Sequence, residues 1–159
     1  MEIIKYPDPI LTTPCQTFDF NNPPIEPYEL AQTLIDTCHE HKGIGLSANQ
    51  IGYPYRVFCI IGAESFVMFN PKIVSVDEDK MITLSEACMS VPGVDVKVKR
   101  SGQVRVRFQT PSGLTDTKTF HGLTAKTIQH ETDHINGIMF FNRANRYHRE
   151  KAMKGYYNG

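Results

Sequence analysis

The chain has 159 residues, which is enough for one domain with a hydrophobic core that does not depend on disulfides. Its 17 lysines and arginines balance 17 aspartates and glutamates, so its overall charge favours neither DNA nor an anionic membrane as a partner. The four cysteines are widely spaced and the amino terminus lacks the apolar core of a signal peptide, so we expect free thiols and a cytoplasmic protein without membrane spans.

The first predicted elements are a proline-rich segment and a helix. Residues 1–24 contain five prolines and are predicted to wrap around the domain without regular structure. Pro27 suits the first turn of a helix whose apolar positions are Leu30, Leu34, Ile35 and Cys38. Gly43 is placed to end it.

The segment Gly43–Gln50 combines two glycines with small residues, which would let the backbone approach a ligand closely. From this segment alone we favour a plainer interpretation, in which a helix end runs into a loop. A dinucleotide-binding loop is weakly supported, because the glycine spacing differs from G-x-G-x-x-G and no strand precedes it.

Residues 55–119 contain the sequence patterns that are typical of short strands. Apolar runs at 56–61, 66–69 and 73–76 are followed by alternating patterns at Val94–Val98 and Val104–Phe108. Arg100–Gly102 is predicted to form a hairpin turn between the last two strands, and Pro111–Gly113 the next turn. Because the strands form one run between helices, we predict an α+β fold with mainly antiparallel sheets.

Between these strands, Leu84–Gly93 places Cys88 among small residues, two positions after Glu86. A free cysteine in a strand is usually a small buried apolar residue. The alternative is a thiolate ligand presented at the end of a strand.

The segment Gln129–His134 contains H-E-x-x-H. On a helix, His130 and His134 share one face and can bind the same metal ion, while Glu131 lies about 100° around the axis, within reach of a water on that ion. The apolar positions around the motif predict a helix that Gly137 could end. Two histidines that merely pack on a helix are the alternative.

A third metal ligand is needed, and more than one residue could supply it. Downstream of His134 the only carboxylate is Glu150, in a polar tail that also contains His148. Upstream, Cys88 would complete a set of one cysteine and two histidines that leaves a fourth position open, as in catalytic sites.

Three segments in this order resemble the signature motifs of peptide deformylases: Gly43–Gln50, Glu86–Ser90 and Gln129–His134. The opening Ile3–Leu11 also looks like the amino terminus of that family. The resemblance implies one catalytic domain over residues 1–159, in which antiparallel sheets surround a central H-E-x-x-H helix, with an amino-terminal helix and a short carboxy-terminal one. It implies hydrolysis of N-formylmethionyl peptides to formate and a free amino terminus.

The resemblance also implies a role for each matching residue. Cys88, His130 and His134 would bind one divalent metal, most often Fe²⁺ in this family, although the ligands also fit Zn²⁺, Ni²⁺ or Co²⁺. Glu131 would be the general base and acid. The Gln50 amide and the Met89 backbone N–H would stabilise the oxyanion. Substrate would be bound by Ile44, Gly45, Leu84, Glu86, Leu123 and Thr127.

Three positions depart from the family motifs, since Ser47 replaces an alanine, Ala87 a glycine and Met89 a leucine. If the backbone at Ala87 needed a positive φ, alanine would cost on the order of 1 kcal/mol there.

The short basic tail, 143–159, is interpreted as a solvated helix that ends near Gly155, with weak ribosome contact as the alternative. Two other functions stay open at this point: a zinc endopeptidase that would not depend on Cys88, and a metal-stabilised binding module in which Glu131 does nothing.

Overall fold

The computed structural model of the protein describes residues 1–158, which form three α-helices and seven strands. The helices are α1 (Pro27–Glu40), α2 (Gly122–Ile135) and α3 (Arg146–Asn158). The strands are β1 (Gly45–Ser47), β2 (Val57–Ile60), β3 (Phe66–Val76), β4 (Met81–Cys88), β5 (Val91–Ser101), β6 (Gln103–Gln109) and β7 (Thr115–His121). None of the helices in residues 1–158 is both long and apolar enough to cross a membrane.

The strands pair into two antiparallel sheets. One sheet has five strands in the order β1-β2-β3-β6-β7, and β4 pairs with β5 in a separate two-stranded sheet. Helix α2 contacts strands of both sheets, and α3 packs on β5. The predicted α+β class with a central H-E-x-x-H helix is therefore confirmed.

The two longer helices form where the sequence predicts them. Helix α1 begins at Pro27, and the carboxylate of Glu26 caps it by accepting a hydrogen bond of 2.7 Å from the Glu29 backbone N–H. Helix α2 buries Ala125, Ile128 and Ile135 in an apolar cluster with the five-stranded sheet. Gly137 follows its end with a φ of 76°, a left-handed conformation that suits glycine.

The hairpin predicted at Arg100–Gly102 is wrong. β5 and β6 follow each other directly, but they belong to different sheets, so the chain changes sheets at Gly102. The reason lies in the side chains: Arg100 is buried, and the Ser101 hydroxyl donates to backbone oxygens of Asp77 (2.8 Å) or Gln103 (2.9 Å). Polar partners inside the protein thus replace the solvent that an exposed turn would contact.

Two other boundaries differ from the prediction. The runs 66–69 and 73–76 are one strand, because Asn70 at a φ of 49° forms an irregularity that accommodates Pro71. Helix α3 continues through Gly155, since its last turn carries Tyr156, whose hydroxyl donates to the backbone oxygen of Tyr6.

The segment Gly43–Gln50 is not a simple loop. Residues Gly45–Ser47 form β1 at the edge of the five-stranded sheet, and Ala48–Ile51 form a 3₁₀ turn. The amino-terminal segment lies against this turn, because the backbone N–H of Ile4 donates to the backbone oxygen of Gln50 at 2.8 Å. Strand β1 also contacts α2.

Candidate active site

Three ligand atoms converge between β4 and α2. The sulfur of Cys88 lies 3.2 Å from Nε2 of His134, which lies 3.1 Å from Nε2 of His130, and all three atoms fall within 4.8 Å of one another. The two histidines are one helical turn apart on α2, as the spacing predicts. Soft sulfur and imidazole donors at this separation fit a divalent transition metal and leave room for further ligands.

Strand β4 aims the thiol at the helix. Its register with β5 shifts between Ala87, which faces Asp95, and Cys88, which faces Val91. Such an irregularity turns the end of a strand and redirects its last side chain. Burial opposes ionisation of Cys88, but the neighbouring His134 and His130 hold the pKa of its thiol well below the ordinary value.

A buried ion network orients the first histidine. Oε1 of Glu86 lies 2.8 Å from Nδ1 of His130, and the Arg100 guanidinium donates to both oxygens of Glu86 at 2.8 and 3.0 Å. Burial would raise the pKa of Glu86, but the hydrogen bond with His130 and the Arg100 pair outweigh it and lower that pKa to about 2. A carboxylate that fixes the imidazole of a metal ligand strengthens the site.

The network continues to the second half of the motif. Arg100 also donates to Asp133 at 2.6 Å, and Asp133 accepts two hydrogen bonds from Arg143. Asn49 donates to the backbone oxygen of His134 at 2.9 Å. The helix that carries both imidazoles is thus tied to β5 and to the turn after β1.

Glu131 is nearly inaccessible, with 3% of its surface exposed, and its Oε1 has no hydrogen-bond partner among residues 1–158. Burial raises the pKa of this carboxyl, although His130 and His134 oppose the shift. An unpaired carboxylate oxygen beside three ligand atoms is the position that a proton acceptor in a metal site needs.

The Gln50 side chain has a fixed orientation. Its Oε1 accepts from the Ser47 backbone N–H at 3.0 Å and lies 3.0 Å from the Ser47 hydroxyl. Its amide nitrogen is thereby directed at the Ser90 hydroxyl (3.0 Å) and the Cys88 sulfur (3.6 Å). A buried amide donor therefore borders the ligand cluster.

A cleft of about 470 Å³ opens onto these groups. The predicted residues Ile44, Gly45, Gln50, Glu86, Met89, Leu123, Thr127 and Glu131 line it together with the ligands Cys88 and His130. Both carboxylate oxygens of Glu86 are engaged by Arg100 and His130. In this structure Glu86 therefore positions a ligand, whereas the resemblance predicts substrate contact.

Leu84 is not among the residues that line the cleft, and 49% of its surface is exposed. Its role in substrate binding stays a prediction. Leu84 precedes Cys88 by four residues on an extended strand, which separates their backbones by about 13 Å.

Three residues around the site were not predicted from the sequence. The sequence patterns place Arg100 in a predicted turn and assign no role to Ser47 or to Lys126, which lines the cleft. A signal for Lys126 was present, because a residue four positions before His130 on the same helix lies on the same face.

A family model described as "Polypeptide deformylase" matches residues 1–150. The chain belongs to this family. It is 39% identical over 152 residues to a peptide deformylase of Desulforudis audaxviator, covering 94% of this chain and 97% of that protein. It is also 37% identical to a "peptide deformylase-like" protein of Rhizobium meliloti, covering 96% of this chain and 88% of the other.

Solved structures agree with this membership. A Plasmodium falciparum peptide deformylase in complex with an inhibitor superposes with a TM-score of 0.87 at 30% identity, covering 99% of this chain and 97% of that one. The peptide deformylase of Thermus thermophilus gives 0.89 at 31% identity, covering 96% and 90%. The fold, the family and the enzyme class expected from the three motifs are therefore confirmed, and enzymes of this family use a divalent metal.

The departures from the family motifs leave the site intact. Within residues 1–158, Lys42 and Asn70 are the non-glycine residues with positive φ, so Ala87 avoids the backbone strain that we considered. The Met89 side chain lines the cleft beside Gly43. The Ser47 hydroxyl adds contacts to Gln50 and, at 2.6 Å, to Oδ1 of Asn49.

Proposed function

We propose that this chain hydrolyses the N-formyl group of formylmethionyl peptides, releasing formate, in the cleft between β1, β4 and α2. One observation carries the proposal: the ligand atoms of Cys88, His130 and His134 lie within 4.8 Å of one another, beside the unpaired carboxylate oxygen of Glu131. Family membership supports the reaction, and this cluster supports its location.

The three ligands would hold one divalent ion, for which we propose Fe²⁺, with Zn²⁺, Ni²⁺ and Co²⁺ as ions that the same donors accept. When bound, such an ion polarises the formyl carbonyl and lowers the pKa of water. The protein's part is to fix the ligands, through the contacts of His130 with Glu86 and of the His134 backbone with Asn49.

Glu131 is proposed as the group that moves the proton. Its buried Oε1 would take a proton from the attacking water and deliver it to the nitrogen of the leaving amine. Burial raises its pKa, and a carboxyl with a raised pKa both accepts and returns a proton more readily near neutral pH.

Charge that develops on the formyl oxygen needs fixed hydrogen-bond donors. The Gln50 amide nitrogen is directed toward Cys88, because Ser47 holds the amide oxygen from the other side. We assign it, together with the Met89 backbone N–H, as the oxyanion donors. A donor that is already oriented requires no rearrangement when the charge appears.

The peptide backbone is proposed to lie along β1, which is an edge strand of its sheet. An extended peptide can add to such an edge through main-chain hydrogen bonds. Gly45 lets Glu131 and Thr127 of α2 approach β1 closely, because a Cβ there would lie 2.8 Å from both Oε2 of Glu131 and Cγ2 of Thr127. Ile44, Leu123 and Thr127 would surround the first side chain.

Formate release from formyl-Met-Ala-Ser tests the proposal, with protein purified without air and loaded with Fe²⁺. We expect turnover by the native chain and none by Glu131→Gln, which should retain its metal because Glu131 is not a ligand. Cys88→Ala should lose the metal. Full activity and metal content in Cys88→Ala would refute the ligand assignment.

The basic tail is proposed to be a solvated helix, with ribosome contact as the alternative. Lys151 and Lys154 are exposed on α3, while Met153 on the same helix is buried against β5. The burial of Met153 explains why α3 packs on the domain. We therefore interpret the face that carries the two lysines as solvated. If the cations contact ribosomes, Lys151→Glu/Lys154→Glu should reduce co-sedimentation with them without changing the melting temperature.

A further inference from the structure

Lys126 is the only buried lysine among residues 1–158, with 6% of its surface exposed. It lines the active-site cleft, and within the part of the chain that the structure describes it makes no hydrogen bond and no ion pair. Its environment contrasts with that of the other lysines, whose side chains reach solvent or bind surface groups, as Lys80 does with Asp77.

The position of Lys126 on α2 places it in the wall of the proposed side-chain slot. It lies three residues after Leu123 and four before His130, so the three residues share one face of the helix. The hydroxyl of the adjacent Thr127 donates to the Leu123 backbone oxygen at 2.8 Å, and its methyl group faces Gly45. The slot therefore combines apolar walls with one cationic group.

Among residues 1–158, the side-chain atoms that are both inaccessible and unpaired belong to Glu131, Thr132 and His134, so the Lys126 ammonium keeps access to solvent through the cleft. Burial lowers the pKa of Lys126, Glu86 opposes the shift and Arg100 adds to it. Glu86 does not serve as its partner, because both of its oxygens are engaged by Arg100 and His130. The protein thus surrounds Lys126 with structure but supplies no acceptor, and the open side of the site is the cleft.

We propose that Lys126 makes the slot selective for a first residue of about methionine's length whose side chain ends in an oxygen acceptor. The sulfoxide of oxidised formylmethionine and the carboxylate of formylglutamate have this chemistry. The stem would contact Leu123 and the Thr127 methyl group, and the oxygen would accept from the Lys126 ammonium. An unoxidised thioether is a weak acceptor, so it would displace water from the Lys126 ammonium without replacing the hydrogen bond.

This inference rests on the proposed deformylase reaction, and a ratio between substrates tests it. Formate release is measured with four peptides, formyl-X-Ala-Ser, in which X is methionine, methionine sulfoxide, glutamate or norleucine. The native chain is compared with Lys126→Met, which keeps the length and removes the charge. Lys99→Met, at an exposed position of β5, is the matched control.

We expect the ratio of kcat/KM for the sulfoxide peptide to that for the methionine peptide to fall about tenfold or more in Lys126→Met, and to be unchanged in Lys99→Met. A larger fall for glutamate than for sulfoxide would identify charge as the dominant feature, and equal falls would identify the acceptor oxygen itself. Ratios that are the same in the native chain and Lys126→Met would overturn the inference.

A binding measurement separates this inference from the reaction. Titration calorimetry of the same peptides with metal-loaded Glu131→Gln, with and without Lys126→Met, gives the preference without turnover. If no peptide releases formate, the proposed function fails, and the ratio of dissociation constants still decides the role of Lys126. Dissociation constants that do not depend on the oxygen acceptor of the peptide would exclude Lys126 as a residue that determines specificity.

Discussion

The hydroxyl oxygen of Ser47 lies 3.0 Å from Oε1 of Gln50, on the side of the amide away from the metal ligands. The backbone N–H of Ser47 donates to the same oxygen at 3.0 Å. Together these contacts allow one orientation of the amide, with its nitrogen toward Cys88. A residue that is alanine in the family motif is thus part of the support for the proposed oxyanion donor.

Replacing Ser47 with alanine removes the hydroxyl but keeps the backbone contact. One neutral hydrogen bond contributes about 0.5–1.5 kcal/mol, so we expect kcat to fall roughly 2- to 10-fold. KM and metal content should change little, because Ser47 touches neither substrate nor metal. Ser112→Ala, in an exposed turn, is the control. An unchanged kcat would show that the backbone N–H alone orients Gln50.

Gly45→Ala should damage the site, since the new Cβ would lie 2.8 Å from both Glu131 and Thr127. We expect kcat/KM to fall at least about tenfold as Glu131 is displaced. Gly155→Ala is the matched comparison: it lies within α3, where a Cβ meets nothing within 4 Å. That change should raise stability by about 0.5–1 kcal/mol, which urea unfolding can measure. A fall in kcat/KM as large in Gly155→Ala as in Gly45→Ala would contradict the described packing.

The pKa of Glu86 predicts how stability depends on pH. In the folded chain this pKa is about 2, below its ordinary value of 4.5. The ionised Glu86 therefore contributes fully to the free energy of unfolding above pH 4.5, and this contribution is lost as the pH falls toward 2. The shift corresponds to about 3 kcal/mol. Urea unfolding of metal-free protein at pH 6 and pH 3 should show a smaller loss in Glu86→Gln than in the native chain. An equal loss of unfolding free energy in the native chain and in Glu86→Gln would exclude Glu86 as the group that titrates.

The four thiols should differ in reactivity. Burial raises the pKa of Cys15 to about 11, with Arg56 opposing, and the contact with Cys38 and burial raise that of Cys59. Cys88 is partly exposed and its thiol pKa is low. Iodoacetamide should therefore modify Cys88 first in metal-free protein at pH 8, as peptide mapping by mass spectrometry would show. Added metal should protect it; rapid modification of Cys15 instead would contradict the burial.

The sequence was most informative where chemistry requires a fixed spacing. Two histidines four residues apart must share a helix face, so the pairing of His130 and His134 could be predicted from local geometry alone. Cys88 is distant in the chain, and only the resemblance to a family selected it over Glu150 or His148. Its presentation depends on a register shift between β4 and β5, which no local pattern indicates.

Prediction from the sequence fails where a polar side chain points into the protein. Arg100 and Ser101 look like turn residues, yet their partners are Glu86, Asp133 and Gln129, all distant in sequence. The sequence does not single out Lys126 for the same reason, because a lysine on a helix is usually solvated. Whether a charged side chain is buried depends on the packing of several elements, and a single segment does not contain that information.

The sheet change at Gly102 has a consequence for the metal. Next to it, the Gln129 side chain accepts from the Ser101 backbone N–H at 3.0 Å and donates to the Ser101 backbone oxygen at 2.7 Å. Gln129 precedes His130, and Ser101 ends the strand that pairs with the cysteine-bearing strand. A single amide thus ties the histidine-bearing helix to the strand that pairs with the cysteine-bearing strand, so the separation between thiolate and imidazoles is set by the fold before any ion or peptide arrives.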